Sequence, residues 1–145
     1  FSNLVGALCV DLLIVYSGNL NYSGGLLGAY TIKVAVGKIA ISPLQGITSG
    51  ILCNILVCLA VLMATSARDI AGKVWAIFFP ICAFVVGGFE HCVANMATFV
   101  TAALLVPGGI SLTAALKSMV IVTIGNAIGG GVLLAWPLRM MSADK

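Results

Sequence analysis

Apolar residues run almost unbroken along the chain, and the few polar stretches mark where it turns. A membrane-spanning helix needs about 20 apolar residues, so the uncharged stretches locate the spans. Residues 1–16 are a first apolar run that contains Asp11 and looks cut short at its start. Residues 17–25 are a loop by their turn residues. Residues 26–41 are apolar but carry Lys33 and Lys38. That pattern predicts a helix entering the membrane from a wet side, with both amines reaching water. Pro43 suits the first turn of the next helix. Residues 39–67 hold no charge and suffice for one span, which closes at Ser66-Ala67-Arg68-Asp69. Along it Gly46, Gly50 and Asn54 recur on one face, continued by Val57, Cys58 and Val61. Small residues at that spacing let helices approach closely, so packing is the expected role of Gly46 and Gly50.

Residues 73–107 are too long for one straight span and lack the polar turn that would make two. Gly87-Gly88 falls in their middle and Phe89-Glu90-His91-Cys92 follows. Two adjacent glycines invite a break. A helix broken at membrane depth frees backbone groups that only protein or a watery cavity can satisfy. The expectation is a discontinuous helix, with one part over 72–86, an irregular turn, and a second part over 94–105. Pro80 adds a candidate kink. Pro107-Gly108-Gly109 ends that unit. Residues 118–138 form the last span, between Lys117 and Arg139. Gly125 and Gly129 repeat the small-residue spacing and Gly130 and Gly131 widen it, while Trp136 fits an interfacial position.

Composition narrows the class. Apolar residues are 61% of 145 and charged residues only 8%, whereas a soluble domain carries about a quarter charged residues. A soluble monomer, a disordered chain and a nucleic-acid binder are excluded, and a lipid bilayer is the expected surroundings. The net charge of +3 is too small and scattered for a phosphate-binding patch. Cys9, Cys53, Cys58, Cys82 and Cys92 all lie in apolar runs without a CxxC pair. They read as small hydrophobes rather than a disulfide framework or a metal site. The opening Phe1-Ser2-Asn3-Leu4 has no initiator Met and no signal pattern, which predicts an internal start and a longer parent protein. The loop 68–73 and the tail 139–145 fall on one side of the membrane, and Lys33, Lys38 and Lys117 on the other. The positive-inside rule then favours a cytoplasmic C-terminus in a multi-pass cell-membrane protein.

Glu90 and His91 sit deep in an apolar segment beside the expected break. Ionisable groups at membrane depth are costly and point to function by default. The plainer alternatives are a histidine hydrogen-bonded inside a packed bundle and a carboxylate that ties the loop by accepting backbone N–H bonds. The pair does not extend to HExxH, so a zinc protease is excluded, and P-loop, GxGxxG and GxSxG motifs are lacking. Two lysines at a mouth would concentrate small anions by focusing the field. A histidine midway can donate an N–H, carry a transient charge or pass a proton. Half-helix N-termini add positive dipole ends.

The run 50–61, with Gly50-Ile51-Leu52-Cys53-Asn54 and Leu56-Val57-Cys58-Leu59-Ala60-Val61, leads on to Phe79-Pro80, Ala83-Phe84 and Gly88-Phe89-Glu90-His91-Cys92-Val93-Ala94-Asn95-Met96. Together with Gly125-Asn126-Ala127-Ile128-Gly129-Gly130, these residues resemble the formate–nitrite transporter family of formate, nitrite and hydrosulfide channels. The FEHxxANM run is the specific part. The resemblance implies an all-α, aquaporin-like helical bundle of six helices per protomer and a pentamer with one pore in each protomer. It makes residues 1–145 a single transmembrane domain, the C-terminal part of a protomer, with two N-terminal helices missing. A family threonine that partners the histidine falls in the missing part. The resemblance also implies that His91 lines the pore midway, that Phe84 forms one apolar constriction, and that Val57 lies near the other. Asn54 belongs to the same pore-lining helix and Lys38 matches the family lysine before it. Residues 97–101 depart from the expected aromatic-then-proline pattern.

The function expected from the sequence is therefore a channel, not an enzyme, that passes small monovalent weak-acid anions without a cofactor. The rival is an integral-membrane redox subunit with His91 as a haem or metal ligand, which a Soret band would reveal. A purely structural anchor is the third reading, and it leaves the broken segment unexplained.

Overall fold

The computed structural model describes residues 2–143, and its regular structure is helical throughout those residues. The chain runs α1 (Ser2–Tyr16), a single 3₁₀ turn (Asn19–Asn21), α2 (Leu26–Ala40), α3 (Pro43–Ser66), α4 (Ile70–Val86) and α5 (Cys92–Leu105). It ends in α6 (Leu112–Ala127), a π-helical stretch (Ile128–Ala135) and α7 (Trp136–Ala143). Local chemistry sets the boundaries. Gly25, at φ 87°, precedes α2. Pro43 opens α3, where its missing N–H costs nothing. Asp69 caps α4 by accepting the Gly72 N–H at 2.7 Å. α4 passes through the buried Pro80 without interruption.

Among the described residues two helical stretches are long and apolar enough to cross a membrane, Pro43–Ser66 and the continuous Leu112–Ser142. The second is longer than the 118–138 span expected from the charges. Lys117 and Arg139 bound the uncharged stretch, but neither residue type stops a helix, so winding begins earlier, at Leu112, and continues past Leu138.

The described residues form two compact units. The first comprises residues up to 43 together with 92–120. In it α5 packs on both α1 and α2. Its core is Ala35, Phe99, Ala102 and Ala115, backed by Ile32, Ile39, Ile110 and Met119. Small residues on α2, α5 and α6 thus bring the helices close. Two polar ties lie inside it. The Ser118 hydroxyl donates to the Lys38 carbonyl at 3.0 Å, and Thr101 is hydrogen-bonded to the carboxyl of the buried Asp11.

The second unit comprises residues 44–91 and 121 onward. Its organising contact is α3 against the glycine face of the last helix. A methyl group built on Gly125 would collide with the Ile47 carbonyl, and one on Gly129 with the Ile51 carbonyl. On Gly50 it would come within 3.0 Å of the Val122 carbonyl. These glycines are the condition for the helices to touch, as the small-residue spacing predicted.

Candidate functional site

The site is built where α4 stops. Gly88 takes φ 66°, a left-handed conformation that glycine adopts without a Cβ penalty. The Phe89 N–H turns back to the Phe84 carbonyl at 3.0 Å and the Gly88 N–H to the Val85 carbonyl at 3.1 Å. This pair of bonds is a Schellman motif, which closes the last carbonyls of α4 and ends the helix sharply. The first half thus ends at Val86, as the glycine pair foretold. The second begins at Cys92, two residues before the expected 94.

Beyond the motif, neighbouring helices hold the exposed backbone. The Glu90 N–H donates to the Ser49 hydroxyl of α3 at 3.0 Å. The Glu90 carbonyl accepts from Asn126 Nδ2 of the last helix at 3.0 Å. The same Nδ2 donates to the Gly50 carbonyl at 2.9 Å. In turn Asn54 Nδ2 donates to the Asn126 backbone carbonyl at 2.6 Å. Inside a bilayer an unsatisfied backbone group costs several kcal/mol, so these side chains stand in for the water that a surface loop would use.

His91 follows directly on this braced peptide and is half-buried. Its imidazole stacks on the Phe84 ring, with centroids 5.7 Å apart and planes 27° from parallel. The pair puts an apolar plate beside a group that can donate a hydrogen bond or hold a proton. α5 starts at the next residue, so the positive end of its dipole falls at His91.

The remaining sequence candidates are Glu90, Asn54, Val57 and Lys38. Glu90 is buried, at 6% exposure, and its backbone is held at both ends. Asn54 is engaged with the last helix. Val57 is half-buried on α3, three residues beyond Asn54. Lys38 is half-buried on α2 and belongs to the first unit, whereas Phe84, Glu90, His91, Asn54 and Val57 belong to the second. Sequence reasoning passed over Ser49 and Asn126. Asn126 was conspicuous in one respect, as a polar residue inside an apolar glycine-rich helix, which is itself a mark of function.

A helix interrupted at depth, with its open backbone bonded by neighbouring helices, is the construction of membrane transport proteins. The chain belongs to the formate/nitrite transporter family, whose profile matches residues 1–140. It is 42% identical over 132 residues to the uncharacterized transporter YrhG of Bacillus subtilis, covering 91% of this chain and 48% of that protein. It is 35% identical over 165 aligned positions to the formate channel FocA of Escherichia coli K12, covering 99% of this chain and 58% of the relative. Among solved structures it resembles a pentameric formate channel with formate bound, with TM-score 0.86 and 29% identity over 97% of this chain and 62% of that one. It likewise resembles an FNT family ion channel, with TM-score 0.84 and 31% identity over 95% of this chain and 55% of that one. The chain spans about half the length of the curated relatives it matches.

Proposed function

We propose that this chain is the C-terminal part of a protomer in a pentameric membrane channel for small monovalent weak-acid anions, with formate, nitrite and hydrosulfide as the candidate substrates. The observation that carries the reading is the stack of Phe84 on His91 at a helix break whose backbone is bonded by α3 and the last helix. Membership of the family and likeness to a formate-bound pentameric channel support it.

In this mechanism Lys38 draws the anion to the mouth. The anion sheds water at the apolar constrictions of Phe84 and Val57. Between them His91 donates a hydrogen bond or a proton. Neutralising the anion removes most of the cost of carrying a charge past apolar walls. Asn54 lines the route, and Glu90 belongs to the peptide that carries the histidine. The tail after Arg139 lies in the cytoplasm, on the balance of lysines and arginines.

The test is anion flux into liposomes carrying the full-length protein, with formate, nitrite and hydrosulfide compared over a series of pH values. His91→Phe, with normal assembly, is expected to abolish flux or reduce it severely. Undiminished flux would remove the histidine from the mechanism.

A further inference from the structure

We infer that Asn126 is a positioning residue for permeation: one amide group, bonded to the carbonyls of Gly50 and Glu90 together, sets the height and tilt of His91 against Phe84. This inference rests on the reading of His91 as the pore histidine.

The geometry leaves Asn126 little freedom. It is 5% exposed, and its Nδ2 reaches Gly50 at 2.9 Å and Glu90 at 3.0 Å. An amide nitrogen has two hydrogens, so both bonds are made at once. The residue is itself pinned, because its backbone carbonyl accepts from Asn54 Nδ2. That reach depends on Gly130, where a methyl group would collide with the Asn54 amide. The π-helical stretch starts just past Asn126, at Ile128. Such stretches displace the ordinary ladder and recur at functional sites. Ser49 holds the preceding peptide unit, at the Glu90 N–H. Two helices therefore grip the residue before His91 from both sides. The imidazole inherits its placement from them.

The role separates from simple bracing by what changes when the grip is lost. Asn126→Leu keeps the size and removes both donors, and Ser49→Ala removes the other hold. The full-length protein carrying each change is reconstituted in liposomes, and formate and lactate fluxes are recorded from acid to neutral pH, normalised to assembled channel. Each variant is expected to lose about tenfold in formate flux, the scale of one lost hydrogen bond to a positioned group. Each is also expected to raise the lactate-to-formate ratio and to move the midpoint of the pH profile. The double variant should lose less than the product of the two, since both act on the backbone of one residue, Glu90. If the leucine variant fails to assemble, Asn126→Ser, which leaves one donor, carries the same expectation at smaller amplitude. Flux that falls equally at every pH and for both anions would make Asn126 a brace only and overturn the inference, as would unaltered flux. A wild-type protein that conducts none of formate, nitrite and hydrosulfide would instead overturn the channel reading and this inference with it.

Discussion

Phe84 and His91 act as one object, because their rings lie nearly parallel and in contact. On the proposed reading, shortening Phe84 removes an apolar constriction and also frees one face of the imidazole. Phe84→Ala is therefore expected to raise conductance and admit larger anions, as read by single-channel recording and a size series of monocarboxylates. Unchanged selectivity would dismiss Phe84 as a constriction. Asp11 raises a different question. It is 3% exposed, Thr101 is bonded to its carboxyl, and its second oxygen is buried with no hydrogen-bond partner among the described residues. Leaving a buried polar group unsatisfied costs about 1–3 kcal/mol, whereas replacing both partners by apolar groups of like shape is close to neutral. Thr101→Val should lower the thermal unfolding temperature in detergent, and adding Asp11→Val should restore it. Of these residues His91 stood out by its place beside the glycine pair, and Phe84 was named only through the family resemblance. Ser49 was not legible, and Asn126 only as a polar residue in an apolar helix, because their partners are backbone groups that exist only once the helix has broken, and no pattern along the chain displays a carbonyl that needs a donor.

The glycines of the helices divide by mechanism. Gly88 serves its own conformation, and a left-handed residue with a Cβ costs about 1–2 kcal/mol. Gly88→Ala should weaken the break by that amount and leave the pairing of α3 with the last helix intact. Gly125 and Gly129 serve a neighbour, since any side chain there meets the backbone of Ile47 or Ile51, which cannot move aside. Gly125→Ala or Gly129→Ala should be the more damaging change, seen as loss of assembled protein in size-exclusion chromatography at a temperature the Gly88 variant survives. The helices and the break were readable because uncharged length and a glycine pair are properties of the chain itself. The π-helical winding was not, since glycine's weak helix preference only says that the ladder is soft there. The last helix meets Ile51 and Asn54 of α3 at Gly129 and Gly130, contacts that no pattern along the chain displays.

At the scale of the molecule, the chain divides into two units and passes from one to the other at residues 43–44, 91–92 and 120–121. None of these points is marked by a polar linker, and the single transmembrane domain expected for residues 1–145 came from the family resemblance. The grouping comes from tertiary contacts between segments far apart in sequence. The full-length protein is expected to migrate as five protomers by native mass spectrometry, and a different stoichiometry would refute the pentamer. The grip on Glu90 bears on how such a channel would open and close. Rearranging the backbone on both sides of Glu90 would cost the bonds to Ser49 and Asn126 together, which makes such a change at the break a rare event of the microsecond-to-second kind. A phenyl ring swinging between rotamers breaks no hydrogen bond and is far faster. Rapid flicker in recorded current would then originate in Phe84, and long silent periods in the release of Glu90.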